Sequence, residues 1–190
     1  MTAGPDLTGR LVRLRRAGLA DVPRMTELLQ DERVTRYLDH WSDTPYTMER
    51  SLEFVTHVAS SSDSVGWVVD ALEDGAYIGN TSLDSINAAD RVCSWGIWLG
   101  PPDRWGRGYA TEACMLAVEH AFTTLGLHKV VLDVYAGNAA ARRAYEKAGF
   151  VSEGVRRRHH WDGSRFVDVE LMAVFDDNPL YAQPIARGVP

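Results

Sequence analysis

Trp105-Gly106-Arg107-Gly108-Tyr109-Ala110-Thr111-Glu112-Ala113 is a glycine-spaced turn that runs straight into a helical pattern. The first N–H groups of a helix have no partner within it, and the helix dipole favours negative charge at that end. Gly106 and Gly108 carry no side chain, so a phosphate can approach their backbone closely. The preceding Val92-Cys93-Ser94-Trp95-Gly96-Ile97-Trp98-Leu99 reads as a strand. Strand, glycine turn and helix together predict a cradle for a phosphorylated cofactor. The same glycines would also serve a turn that only makes room for packing.

Two familiar nucleotide readings fail on spacing. A nicotinamide fingerprint needs a third glycine or alanine where Thr111 stands, in an early strand of the fold rather than in mid-chain. A nucleoside-triphosphate loop ends in Gly-Lys-Ser/Thr, and Gly108-Tyr109-Ala110 does not.

A second constellation narrows the choice. Asn138-Ala139-Ala140-Ala141-Arg142-Arg143-Ala144-Tyr145-Glu146-Lys147-Ala148-Gly149-Phe150 reads as a complete helix, with Asn138 as N-cap and Gly149 as the C-terminal stop. Ala141, Tyr145 and Ala148 share one face, so Tyr145 projects from among small residues. Arg142, Arg143 and Lys147 put positive charge on the rest of its surface.

On these residues the chain resembles the GNAT N-acetyltransferases, which use acetyl-coenzyme A. The family's pyrophosphate motif, Gln/Arg-x-x-Gly-x-Gly/Ala, falls on Trp105 to Ala110, and Trp105 departs from its first position. The later Asn-x-x-Ala-x-x-x-Tyr-x-Lys-x-Gly-Phe pattern falls on Asn138, Ala141, Tyr145, Lys147, Gly149 and Phe150. The wording of the glycine turn, the opening Leu11-Val12-Arg13-Leu14-Arg15 and the run Tyr77-Ile78-Gly79-Asn80-Thr81-Ser82-Leu83 are similar to the RimJ/RimL branch, which includes ribosomal-protein N-terminal acetyltransferases. The likeness covers roughly residues 8 to 175.

The resemblance implies roles. Tyr145 would protonate the departing thiolate, since a phenol of pKa about 10 keeps its proton at neutral pH; a core aromatic at the cofactor tunnel is the plainer role for it. Main-chain groups of Ile97, Trp98 and Leu99 would pair with the pantetheine arm where their strand splays from the next, and one N–H would hold the oxyanion. Trp105, Gly106, Arg107, Gly108, Tyr109, Ala110 and Thr111 would hold the diphosphate, with Asn138, Ala141, Arg142 and Arg143 beside the coenzyme. Asn138 serves its own helix cap equally well.

An attacking amine must lose a proton, because a lysine-like amine has pKa about 10.4 and an N-terminal one about 8. Some relatives carry a glutamate in the strand before the glycine turn, where this chain has Ser94. Asp84, Asp39 and His40 are the remaining base candidates, each an ordinary surface residue otherwise. Tyr37, Trp41 and Tyr46 suggest an aromatic wall at the acceptor site, with Ser94 beneath it; aromatics there can equally staple two helices. The expected reaction is acetyl transfer to a primary amine, on a protein N-terminus or a small molecule. A regulator that binds acyl-coenzyme A without turnover is the alternative.

Composition agrees with one compact domain. The chain has 190 residues, 45% of them hydrophobic, enough for a substantial core. No apolar run approaches the roughly 20 residues that span a bilayer, and the start, Met-Thr-Ala-Gly-Pro-Asp, lacks secretory-signal features, so no membrane partner is expected. Two cysteines, Cys93 and Cys114, form no disulfide framework or metal-spaced pair, which fits a reducing cytoplasm and no metal site. The net charge of −6 argues against nucleic-acid binding and favours cationic substrates. Arg156-Arg157-Arg158-His159-His160 is a local exception, either a solvated strand edge or a contact to an anion. A homodimer stays open.

The pattern along the chain predicts strands at 10–16, 65–72, 77–86, 92–99, 129–135, 150–160 and 165–175. Helices are predicted at 19–31, from Thr47 to about Ser60 with Leu52, Val55 and Val58 on one face, from the glycine turn to about Leu125, and after Asn138. Residues 32–46 are too irregular for one long helix. The order gives an α/β (α+β) architecture, and the family's central, mostly antiparallel twisted sheet flanked by helices fits it. One transferase domain over 8–175 and a tail over 176–190 are expected.

Overall fold

The computed structural model describes residues 4–38 and 46–183. One eight-stranded sheet runs through it: β1 (Leu7–Thr8), β2 (Val12–Arg15), β3 (Val65–Ala71), β4 (Tyr77–Asn87), β5 (Val92–Leu99), β6 (Lys129–Tyr135), β7 (Val151–Trp161) and β8 (Phe166–Phe175). Their spatial order is β1-β2-β3-β4-β5-β6-β8-β7. All neighbours are antiparallel except β5 and β6. Helices α1 (Val22–Leu28), α2 (Glu32–Thr35) and α3 (Met48–Ser60) precede β3; α4 (Tyr109–Thr123) follows β5 and α5 (Ala139–Lys147) follows β6. The mixed α/β sheet with flanking helices is the fold class that the pattern predicts.

Alternation along the strands builds two cores. On one face, Leu14, Trp67, Ile78, Leu83, Trp95, Leu132 and Val134 pack against α4 and α5. On the other, Val68, Tyr77 and Trp98 pack against Met25, Leu28 and Val55 of α1 and α3. Helix α4 lies close to the sheet because Ala113, Cys114, Ala117 and Ala121, all small, are fully buried.

The elements depart from expectation in a few places. The first helix opens with a 3-10 turn at Leu19–Asp21, so regular helix covers only Val22–Leu28. In α3 the buried positions are Ser51, Val55 and Val58, whereas Leu52 is 45% exposed. Ser51 wins that place because its hydroxyl meets Thr26 Oγ1 of α1 at 2.7 Å. The short strand β1 was not predicted, since two residues give no period. The tail is anchored at its start: Tyr181 is buried, donates to Ala148 O at 2.7 Å and stacks edge-on to Phe122. The basic run Arg156 to His160 lies on β7, the exposed edge strand, where charge discourages further pairing.

Candidate active site

The decisive feature is a gap between two parallel strands. β5 and β6 pair only at Val92–Lys129, Cys93–Val130 and Ser94–Val131. Beyond Ser94, β6 continues but no longer pairs with β5, although β4 stays paired with β5 to Leu99. Gly100 N donates to Ile78 O at 2.9 Å, which fixes the alternation of the β4–β5 ladder. Trp98 therefore turns its main-chain groups to β4, while Trp95, Ile97 and Leu99 turn theirs to the gap. Leu99 O already accepts the Trp105 indole N–H at 2.8 Å.

The glycine turn stands at the wide end of this gap. Gly106 and Gly108 have φ of +78° and +92°, a left-handed region that L side chains rarely adopt. Among the described residues no atom lies within 4 Å of where a Gly106 Cβ would stand, and Gly108 serves as N-cap of α4 without a side-chain cap. The first N–H groups of α4, at Tyr109, Ala110 and Thr111, thus lack a capping side chain, as a diphosphate site requires. These residues fit acetyl-coenzyme A, whose thioester supplies the activated acetyl group.

The turn is braced by carboxylates that the motif reading missed. Glu73, in the β3–β4 connection, accepts from Tyr109 Oη at 2.8 Å and Arg107 Nη1 at 3.2 Å. Asp74 holds Arg104 with two bonds, at 2.6 and 3.1 Å, and these push its carboxyl down to about 2. Glu112, in the first turn of α4, accepts three main-chain N–H bonds from Arg10, Leu11 and Val12, at 2.9, 2.6 and 2.8 Å. Thr111 Oγ1 reaches Ala144 O at 3.4 Å and ties α4 to α5.

Helix α5 brings Tyr145 to the apex of the gap. The ring meets Trp95, the first residue past the last β5–β6 pair, and also Phe150. No described residue hydrogen-bonds its hydroxyl, and burial holds the phenol above its ordinary value. Asn138 Oδ1 caps α5 by accepting from Ala141 N at 3.2 Å. Ala141 packs against the core. Arg142 is committed to Glu170 at 2.7 Å and to Glu146 at 2.5 Å, so its charge is already partnered; Arg143 is exposed. A recess of about 250 Å³ bounded by Tyr135, Asn138, Arg142 and Glu170 lies beside α5 on its β8 side.

The other face of the gap is open among the described residues. Ser94, Gly96 and Trp98 face the α1/α3 side, and among the described residues nothing lies within 4 Å of where a Gly96 Cβ would stand. Asp84 borders this face: Ser82 Oγ donates to its carboxylate, and Ser94 Oγ donates to its carbonyl at 3.0 Å. Tyr37 reaches over the gap's wide end and donates to Gly137 O at 3.1 Å, while α2 touches Gly100 through Val34. Tyr46 is 4% exposed and sits in the α1/α3 core, a helix staple. Asp39, His40 and Trp41 lie outside the described residues. Among the described residues no three metal-ligating side chains converge, and no helix is long and apolar enough to cross a membrane.

Comparison with known proteins agrees with this geometry. A family model described as an acetyltransferase (GNAT) domain matches residues 11–151. The spermidine N(1)-acetyltransferase of Escherichia coli strain K12 is 30% identical over 171 residues, 89% of this chain and 88% of its own length. The solved spermidine N-acetyltransferase of Vibrio cholerae, in complex with CoA and spermine, superposes with a TM-score of 0.78 at 26% identity, covering 88% of this chain and 97% of that one. Mycobacterium smegmatis RimJ, solved with CoA-disulfide, shares the fold at a TM-score of 0.77 and 21% identity, over 93% of this chain and 88% of its own. Its parted parallel strands and bared helix start therefore belong to an acetyl-coenzyme A-dependent N-acetyltransferase, and the chain is a member of the GNAT family.

Proposed function

We propose that the enzyme acetylates a primary amine of a small cationic aliphatic acceptor, of the polyamine type named in its Escherichia coli and Vibrio cholerae relatives. One observation carries this reading. Among the described residues, nothing covers Gly96 on the sheet face opposite α4, and the Asp84 carboxylate borders it, next to the gap that suits the thioester. A net charge of −6 draws cations towards such a site.

In this reading the amide groups of residues 106–111 hold the diphosphate, and the main chain of Ile97 and Leu99 receives the pantetheine arm. The amine enters from the α1/α3 side, beneath α2 and Tyr37. Tyr145, its proton retained by burial, protonates the departing thiolate. Asp84 accepts the amine proton directly or through water. The transferase unit spans residues 8–175, and the two buried, unpaired cysteines support a cytoplasmic setting.

Release of free thiol from acetyl-coenzyme A tests the assignment. Spermidine and spermine should give faster release than an N-terminal peptide or an amino-sugar. Release with the peptide alone would sink the acceptor class. Coenzyme binding with no release across the whole panel would favour the regulator.

A further inference from the structure

We propose that Asp133 is the acceptor-binding carboxylate of this enzyme, exchanging its partner Arg156 for a protonated amine of the acceptor. The inference rests on the reading above that the acceptor is a cationic amine.

The backbone fixes the position of Asp133. On β6, Val130, Leu132 and Val134 are buried in the α4/α5 core, so Asp133 projects from the opposite face, where the acceptor enters. Ser94 and Val131 form the last β5–β6 pair. Counting two residues on along each strand reaches the next position on that same face: Gly96 on β5 and Asp133 on β6. These two residues therefore form opposite lips of the gap at one height. Among the described residues, none fills the space where a Gly96 side chain would be. The Asp133 lip carries a charge.

That charge is available. Asp133 Oδ2 lies 2.7 Å from Arg156 Nη1, with the two side chains 51% and 47% exposed. Arg156 comes from the edge strand β7 and reaches across β8, where Leu171 pairs with Asp133. An ion pair this exposed contributes little, so an ammonium can replace the guanidinium at small cost. The other charged group on this face of β6, Lys129, is held by Glu153 at 2.7 Å. Asp84 borders the gap on the β4 side, with Ser82 bound to its carboxylate. An acceptor with two cationic ends would thus meet one carboxylate on each side of the thioester. A monoamine would use only one.

Steady-state thiol release by the full-length enzyme tests this with spermidine and with a monoamine of similar length. Asp133→Asn should raise the KM for spermidine about 3- to 5-fold, the loss of one exposed ion pair, and leave the KM for acetyl-coenzyme A unchanged. The monoamine should be affected less. Asp133→Glu should restore most of the spermidine affinity, and Arg156→Gln should hold or lower the spermidine KM. Unaltered thermal midpoints keep these variants interpretable, because both side chains are exposed. An Asp133→Asn enzyme with the wild-type spermidine KM, or with equal losses for coenzyme and amine, overturns the proposal and leaves the acceptor class standing. A wild type that releases thiol with no cationic amine overturns both.

Discussion

The ring of Tyr145 stands edge-on to the indole of Trp95, with centroids 5.4 Å apart and planes at 89°. This contact joins the two halves of the site. Trp95 marks the point where β5 and β6 part, and Tyr145 comes from the helix that follows β6. The phenol is thus held at the apex by aromatic packing rather than by a hydrogen bond, which leaves its hydroxyl for a ligand.

Tyr145→Phe should keep the packing and remove the proton donor. General acid catalysis typically contributes 10²- to 10⁴-fold, so kcat should fall by about 100-fold or more while acetyl-coenzyme A affinity by calorimetry stays near wild type. Burial raises the phenol's pKa, so the acid form persists at alkaline pH. Wild-type kcat should therefore show no fall from Tyr145 ionisation up to about pH 10. An unchanged rate in the variant removes the residue from the acid role.

Glu73 braces the glycine turn, the proposed diphosphate site, through Tyr109 and Arg107. Glu73→Ala should loosen the start of α4 and raise the KM for acetyl-coenzyme A about 3- to 10-fold, the scale of one charge-assisted hydrogen bond. The kcat at saturating coenzyme should hold. A rise confined to the amine KM would contradict this.

Glu112 satisfies three backbone donors of the β1–β2 turn. Glu112→Ala leaves them to partial solvation, at a cost of about 2–3 kcal/mol. At about 2–4 °C per kcal/mol for a chain of this size, the thermal midpoint should drop by roughly 5–10 °C. Scanning calorimetry reads this directly, and an unmoved midpoint refutes it.

Arg15 lies between Asp21 and Asp70, at 2.7 and 2.6 Å. Burial alone would raise the Asp21 carboxyl, yet bonds from Arg15 and Gly18 N–H outweigh it and hold the group below its ordinary value. A depressed carboxyl contributes stability above its unfolded pKa, about 3.9, and loses that contribution as pH falls through the folded pKa. Urea midpoints should therefore drop below about pH 4 in the wild type. The acid drop should be shallower in Asp21→Asn, which starts from a lower midpoint at neutral pH.

Much of the molecule was legible in the linear order of residues. Lys129–Tyr135 and Val92–Leu99 have the bounds that their patterns predict, because alternation and turn residues are local signals. Gly106 and Gly108 announce a backbone that other residues resist, and the structure gives both a positive φ. Tyr145 was legible through helical spacing, which brings it into line with Ala141 and Ala148. Asp133 left a fainter trace: the buried alternation of Val130, Leu132 and Val134 puts it on the opposite face, but nothing local says what that face meets.

The residues that act from a distance were not legible. Glu73, Asp74 and Glu112 contact partners about 30 to 100 positions away, and local periodicity carries no information about such separations. Arg142, on α5, reads as a cation for the coenzyme until Glu170, from β8, is seen to hold it. The chain order alone specified which segments become strands and helices, because those choices depend on neighbours a few residues apart. Where β5 and β6 part, which face stays bare and which charges are already paired followed only from the packed sheet, since each depends on what the fold brings across from elsewhere.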